Sequence, residues 1–178
     1  MSHPINLPLS LSVALYNSRR WLRALQVWQH EPLASDSLQA QPLIMISSGR
    51  SGTTLLRGML VGGGQIAIPP ESHVLPYAAL QYAATTDMSW DNRVRLIVSL
   101  FEAPSTFQAW ETNLQPVYAQ MRGLPKRERS LARIIEAVFL HYRDQYFPDA
   151  ITWGDQSPNN APHADWIVRT FPQGRYLH

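Results

Sequence analysis

Residues 49–54 read Gly-Arg-Ser-Gly-Thr-Thr, which puts one guanidinium, three hydroxyls and two glycines within six positions. That combination suits an anion. Arg50 brings a full positive charge and a forked donor. Ser51, Thr53 and Thr54 add hydroxyl donors, while Gly49 and Gly52 let the backbone turn sharply and approach a ligand closely. The flanking elements decide where this group points. Leu43 to Ile46 is a short apolar run with β-branched residues, the pattern of an interior strand in a parallel sheet. From Thr53 to Gly62 the spacing predicts a helix that buries Leu55, Leu56, Met59 and Leu60, stopped by Gly62-Gly63-Gly64. A strand, a glycine turn and a helix start in this order present unpaired N–H groups and the positive end of the helix dipole to one point. The chemistry this favours is binding of a phosphate.

Three familiar strand-turn-helix motifs do not fit. The nucleotide triphosphatase loop requires Gly-Lys-Ser/Thr at the helix start, whereas Gly52 is followed by Thr53-Thr54 with no lysine. The hydrolase elbow Gly-x-Ser-x-Gly has threonine at its last position here, Thr53. The dinucleotide fingerprint Gly-x-Gly-x-x-Gly is absent. The segment instead resembles the 5′-phosphosulfate loop of the sulfotransferases that use 3′-phosphoadenosine 5′-phosphosulfate (PAPS), in the branch written Arg-Ser-Gly-Thr-Thr, close to the tyrosylprotein sulfotransferases and bacterial relatives. The resemblance implies that Gly49, Arg50, Ser51, Gly52, Thr53 and Thr54 hold PAPS, with Arg50 also stabilising charge on the transferring group.

Two later segments extend the resemblance. Glu71-Ser72-His73-Val74-Leu75-Pro76 is similar to the Glu-x-x-Val-Ile-Pro stretch of the tyrosylprotein branch, which implies that Glu71 is the general base. A carboxylate beside an arginine-bearing anion site can take the proton of an acceptor hydroxyl as the sulfuryl group arrives. The simpler role for Glu71 is to charge the first turn of the next helix. Gly154-Asp155-Gln156-Ser157-Pro158 resembles the Gly-Asp-Lys-Thr-Pro turn of the same superfamily, which places Gln156 and Ser157 as contacts to the sulfuryl group or substrate. Gln156 stands where the family has lysine, so Arg50 must carry more of the charge or activity is reduced.

The elements that position these groups read as a three-layer α/β fold around a P-loop-like parallel sheet. Further strands are expected at 65–68, 150–153 and 175–178, with Gly154 to Pro158 as a turn and a helix from Pro162 through Phe171. Between the second and third strands lies a helical region at about 72–147. Its helices are marked by Trp90, Val94, Ile97 and Phe101, and by Leu131, Ile134, Ile135, Val138 and Tyr142 with Ser130 as N-cap. A shorter helix is expected around Phe107 and Trp110. Residues 1–41 read as an N-terminal helix over 10–29 followed by a polar linker. The family's domain continues past a strand like Arg175–His178 into a segment that holds the 3′-phosphate, so the resemblance covers the first part of that domain and implies a fragment truncated at the C-terminus.

Composition sets broader bounds. The 178 residues suit one domain, and a net charge of +2 gives no reason to expect nucleic acid as partner. The chain has no cysteine, hence no disulfide or thiolate metal site, which fits a cytoplasmic location. The six histidines lack metal-ligand spacing, and no apolar run is long enough to be a transmembrane segment. No metal is expected; the partners are PAPS and an acceptor hydroxyl or amine. Two alternatives remain open. One is a serine hydrolase using Ser51, Asp155 and His163 or His178 in that chain order. The other is an inactive nucleotide-binding remnant, suggested by Gln156.

Overall fold

The computed structural model describes residues 32–178. The helix expected at 10–29 lies outside the described residues. Four strands form one sheet, β1 (Leu43–Met45), β2 (Ile66–Ala67), β3 (Thr152–Asp155) and β4 (Arg175–Leu177), in the order β2-β3-β1-β4. All the pairings are parallel, with Leu43 beside Gly154 and Arg175, and Ile66 beside Thr152. Six α-helices accompany them: α1 (Thr53–Gly62), α2 (Leu75–Ala84), α3 (Trp90–Glu102), α4 (Gln115–Arg122), α5 (Leu131–Tyr146) and α6 (Ala164–Thr170). The chain leaves β1 through α1 toward β2, and leaves the neighbouring β3 through α6 toward β4. Adjacent strands whose connections depart in opposite directions define the switch point at which open α/β sheets bind ligands, beyond the strands' carboxyl ends.

Alternation along β1 separates the two faces. Met45 packs with Ile66 and Ile68 beneath Leu56, Leu60 and Val61 of α1. Ile44 belongs to the larger core on the other side, with Trp153, Phe139, Phe101 and Trp110. There the Phe139 and Trp153 rings stack at 4.4 Å, and Phe171 meets Trp153 edge-on at 5.4 Å. α5 organises this layer. Ser130 caps it by accepting from Arg133 N at 3.2 Å, and its apolar positions from Leu131 to Tyr142 are buried nearly all round. Each large apolar side chain so buried contributes about 1.5–3 kcal/mol relative to exposure.

Four expectations change. Leu55 and Met59 do not enter the core: they are 73% and 68% exposed, because α1 offers the sheet one narrow stripe and these two lie on its outer face. The third strand occupies 152–155 instead of 150–153, so Gly154 and Asp155 are strand residues and not turn residues. Gly154 is required there because a Cβ would collide with the Leu43 carbonyl oxygen of β1. The helix expected from Pro162 is a 3-10 turn over Pro158–His163 followed by α6. Around Phe107 and Trp110 the backbone is also 3-10, Ser105–Trp110.

Candidate active site

The chain turns through 49–52 directly after β1, with two residues in the left-handed region, Arg50 (φ 66°) and Gly52 (φ 83°). For Arg50 this backbone costs roughly 1–2 kcal/mol. The turn is closed by Ser51 Oγ donating to Ser48 O at 2.7 Å, and α1 begins with Leu56 N donating to Gly52 O at 3.1 Å. Gly52 is the N-cap and supplies no side chain, and the first turn of α1 holds no acidic residue. The leading N–H groups of α1 therefore have no intrahelical or side-chain acceptor. Gly49, Arg50, Ser51, Gly52 and Thr54 are exposed and Thr53 is half-buried. An uncapped helix start thus lies in an exposed stretch with a cation and threonine hydroxyls close in sequence, which suits an anion.

The other two strand ends are joined by a buried polar hub centred on Asp155. Its Oδ1 accepts from Ser72 Oγ at 2.8 Å and Ser157 Oγ at 3.0 Å. Oδ2 accepts from Ser157 N at 3.1 Å and Asn160 Nδ2 at 2.7 Å. Ser157, fully buried, accepts in turn from the backbone N–H groups of Ser72 at 3.0 Å and His73 at 2.9 Å. Its hydroxyl is committed to this hub. Asn160 Nδ2 also reaches Met45 O at 3.3 Å, which ties the end of β1 to the same group. A carboxylate at 1% exposure is tolerable only because both oxygens are met by donors.

Above the hub, Glu71 and His73 are about one-third exposed and in contact, Oε2 to Nε2 at 3.0 Å. Trp110 Nε1 donates to Pro70 O at 3.0 Å and fixes the residue before Glu71. From α1, Arg57 Nε donates to Ile68 O at 2.7 Å and Pro69 O at 3.2 Å, so the helix that carries the anion loop also holds the end of the second strand. Burial pushes the Tyr142 phenol up, and the Arg57 guanidinium opposes that shift. Gln156 is buried and its Oε1 lacks a hydrogen-bond partner.

The structure therefore links all three strand ends: Asn160 joins the first to the third, Ser157 the second to the third, and Arg57 joins α1 to the second. It does not assemble a hydrolase triad. The Asp155 carboxylate is bonded by Ser72, Ser157 and Asn160 and by no histidine, while Ser51 Oγ donates to a backbone carbonyl. Sequence reasoning assigned no role to Arg57, His73 or Asn160. For His73 the signal was present, because it falls inside the Glu71 to Pro76 segment that carries the resemblance, and Arg57 lies only three residues past the loop. Asn160 has no such marker.

Among the described residues, no group of three or more His, Asp or Glu side chains is placed to hold a metal ion, and no helix is long and apolar enough to cross a membrane. Comparison with curated proteins and with solved structures finds no match. The sequence model of the sulfotransferase family, however, matches residues 42–178, which spans β1 through β4 and takes in the anion loop, the Glu71 segment and the Asp155 hub. With this match across its parallel α/β sheet, the chain belongs to the sulfotransferase family.

Proposed function

We propose that the chain transfers a sulfuryl group from PAPS to a hydroxyl or amine acceptor. The observation that carries this reading is the uncapped start of α1, whose leading N–H groups have no side-chain acceptor and follow an exposed turn that contains Arg50. The 5′-phosphate sits at Gly49 to Thr54 and takes those N–H groups and the hydroxyls of Thr53 and Thr54, while Ser51 closes the turn through Ser48 O. Arg50 offsets the negative charge that grows on the bridging oxygen as the sulfur–oxygen bond lengthens. Glu71, partly exposed beyond the end of β2, takes the acceptor's proton. Gln156 donates a neutral amide hydrogen bond where the family has lysine, and leaves the cationic work to Arg50.

The test is transfer of radiolabelled sulfate from PAPS to mixed hydroxyl and amine acceptors. Label should move into an acceptor with the wild-type chain, and Glu71→Gln should abolish most of that transfer. Equal labelling by the wild type and Glu71→Gln would remove Glu71 from the chemistry.

A further inference from the structure

We propose that His73 is a positioning residue for Glu71, gripping one carboxylate oxygen so that the other is turned to the acceptor. This rests on the reading of Glu71 as the base. The two side chains meet at Nε2 to Oε2, 3.0 Å. An ionised carboxylate has no hydrogen to give, so the imidazole N–H is the donor.

The backbone under this contact is held in an unusual conformation. His73 sits at φ 57°, a conformation that L-residues rarely adopt and glycine takes without strain. It is held there from below, where the N–H groups of Ser72 and His73 converge on the buried Ser157 hydroxyl, itself fixed to Asp155. A turn that glycine would make more comfortably carries an imidazole, and that imidazole folds back onto the residue two positions earlier. Both side chains keep about one-third of their surface open, so an acceptor can reach the pair and a proton can leave it. A base oriented by a second group that is itself oriented by a third is the general logic of activated catalytic sites.

In the transfer step the acceptor O–H or N–H bond breaks and its proton passes to the free Glu71 oxygen. The acceptor atom bonds to sulfur as the bond from sulfur to the bridging phosphate oxygen breaks, and that electron pair stays on the departing 3′-phosphoadenosine 5′-phosphate (PAP). Glu71 then yields the proton to solvent, and His73 keeps its own throughout.

The experiment uses the full chain as wild type, His73→Gly and His73→Gln, with phenol as acceptor. PAP affinity is measured by calorimetry, melting by calorimetric scan, and turnover as release of PAP from PAPS. His73→Gly suits the left-handed backbone, so its melting temperature should hold or rise and its PAP affinity should stay within about twofold, since the loop is untouched. Its turnover should fall roughly 10²-fold, the cost of a misplaced catalytic group. His73→Gln restores an N–H at similar reach and should recover most of that loss. The inference is overturned by wild-type turnover in His73→Gly, by equal loss in both variants, or by a wild type that binds PAP yet releases none from PAPS. A wild type that does not bind PAP contradicts the PAPS reading itself and removes this inference with it.

Discussion

Glu71 and Gly154 bind nothing in common, yet each makes a sharp expectation for a single substitution. A general base acts in the transition state, so Glu71→Gln should lower kcat by about 10²–10⁴-fold while PAP affinity stays near the wild-type value. Parallel loss of both in steady-state and binding measurements would make Glu71 structural. Gly154→Ala acts differently, because its new methyl meets the Leu43 carbonyl across the β1–β3 pair and backbone cannot step aside. It should destabilise by about 1–3 kcal/mol, read as a lower denaturant midpoint with little change in slope. Gly154 also shows where sequence reasoning slips. Gly-Asp followed by Ser-Pro has the composition of a turn, but here the glycine answers a crowded strand pairing and the aspartate a buried hub. Nothing in the local residue types separates those causes.

Among the elements, α5 bears the heaviest packing, and its most telling pair is charged. Arg133 Nη1 donates to Glu136 Oε2 at 2.7 Å, and Glu136 Oε1 accepts from Gln39 N at 2.7 Å and Ala40 N at 3.0 Å. The polar segment before β1 is thereby docked on α5, with Ala132 N donating to Leu33 O at 2.9 Å. Glu136→Ala should cost about 3–5 kcal/mol in chemical denaturation, since it strands a buried guanidinium and two amides. At the other edge, burial pushes the Tyr176 phenol up to about 12, and it donates to Phe171 O at 2.6 Å. An unfolded tyrosine ionises near 10. The folded chain keeps this proton longer, so stability is full below that pH and falls as pH rises through the window up to about 12. Tyr176→Phe should flatten that alkaline decline in melting curves, and an unchanged slope would mean that the phenol titrates alike in both states. The helices were legible wherever periodicity was sustained, as with Ser130 capping α5 and the Trp90 to Phe101 stripe. The docking of 32–41 was not, because polar residues that bond a distant helix look like any linker.

At the scale of the molecule, the parallel sheet puts the segments after β1, β2 and β3 at one end, as three strands each followed by polar residues led one to expect. The face of α1 was not readable, since a helix with apolar residues on two sides does not say which side is covered. Leu55 and Met59 remain open, and together they make an apolar patch on the helix that bears the anion loop. Replacing both with glutamine should leave stability within about 0.5 kcal/mol and reduce any self-association seen by light scattering. A large stability loss would show that α1 buries them after all. If the loop at Gly49 to Thr54 holds the phosphate of PAPS, calorimetry of PAP with the wild type and Arg50→Ala will show it. Each charge-assisted hydrogen bond lost with the guanidinium should cost roughly 1.5–3 kcal/mol, which is about a 10- to 150-fold weaker Kd. PAP binding that is equally tight in Arg50→Ala, or absent from the wild type, would show that the loop does not hold that phosphate.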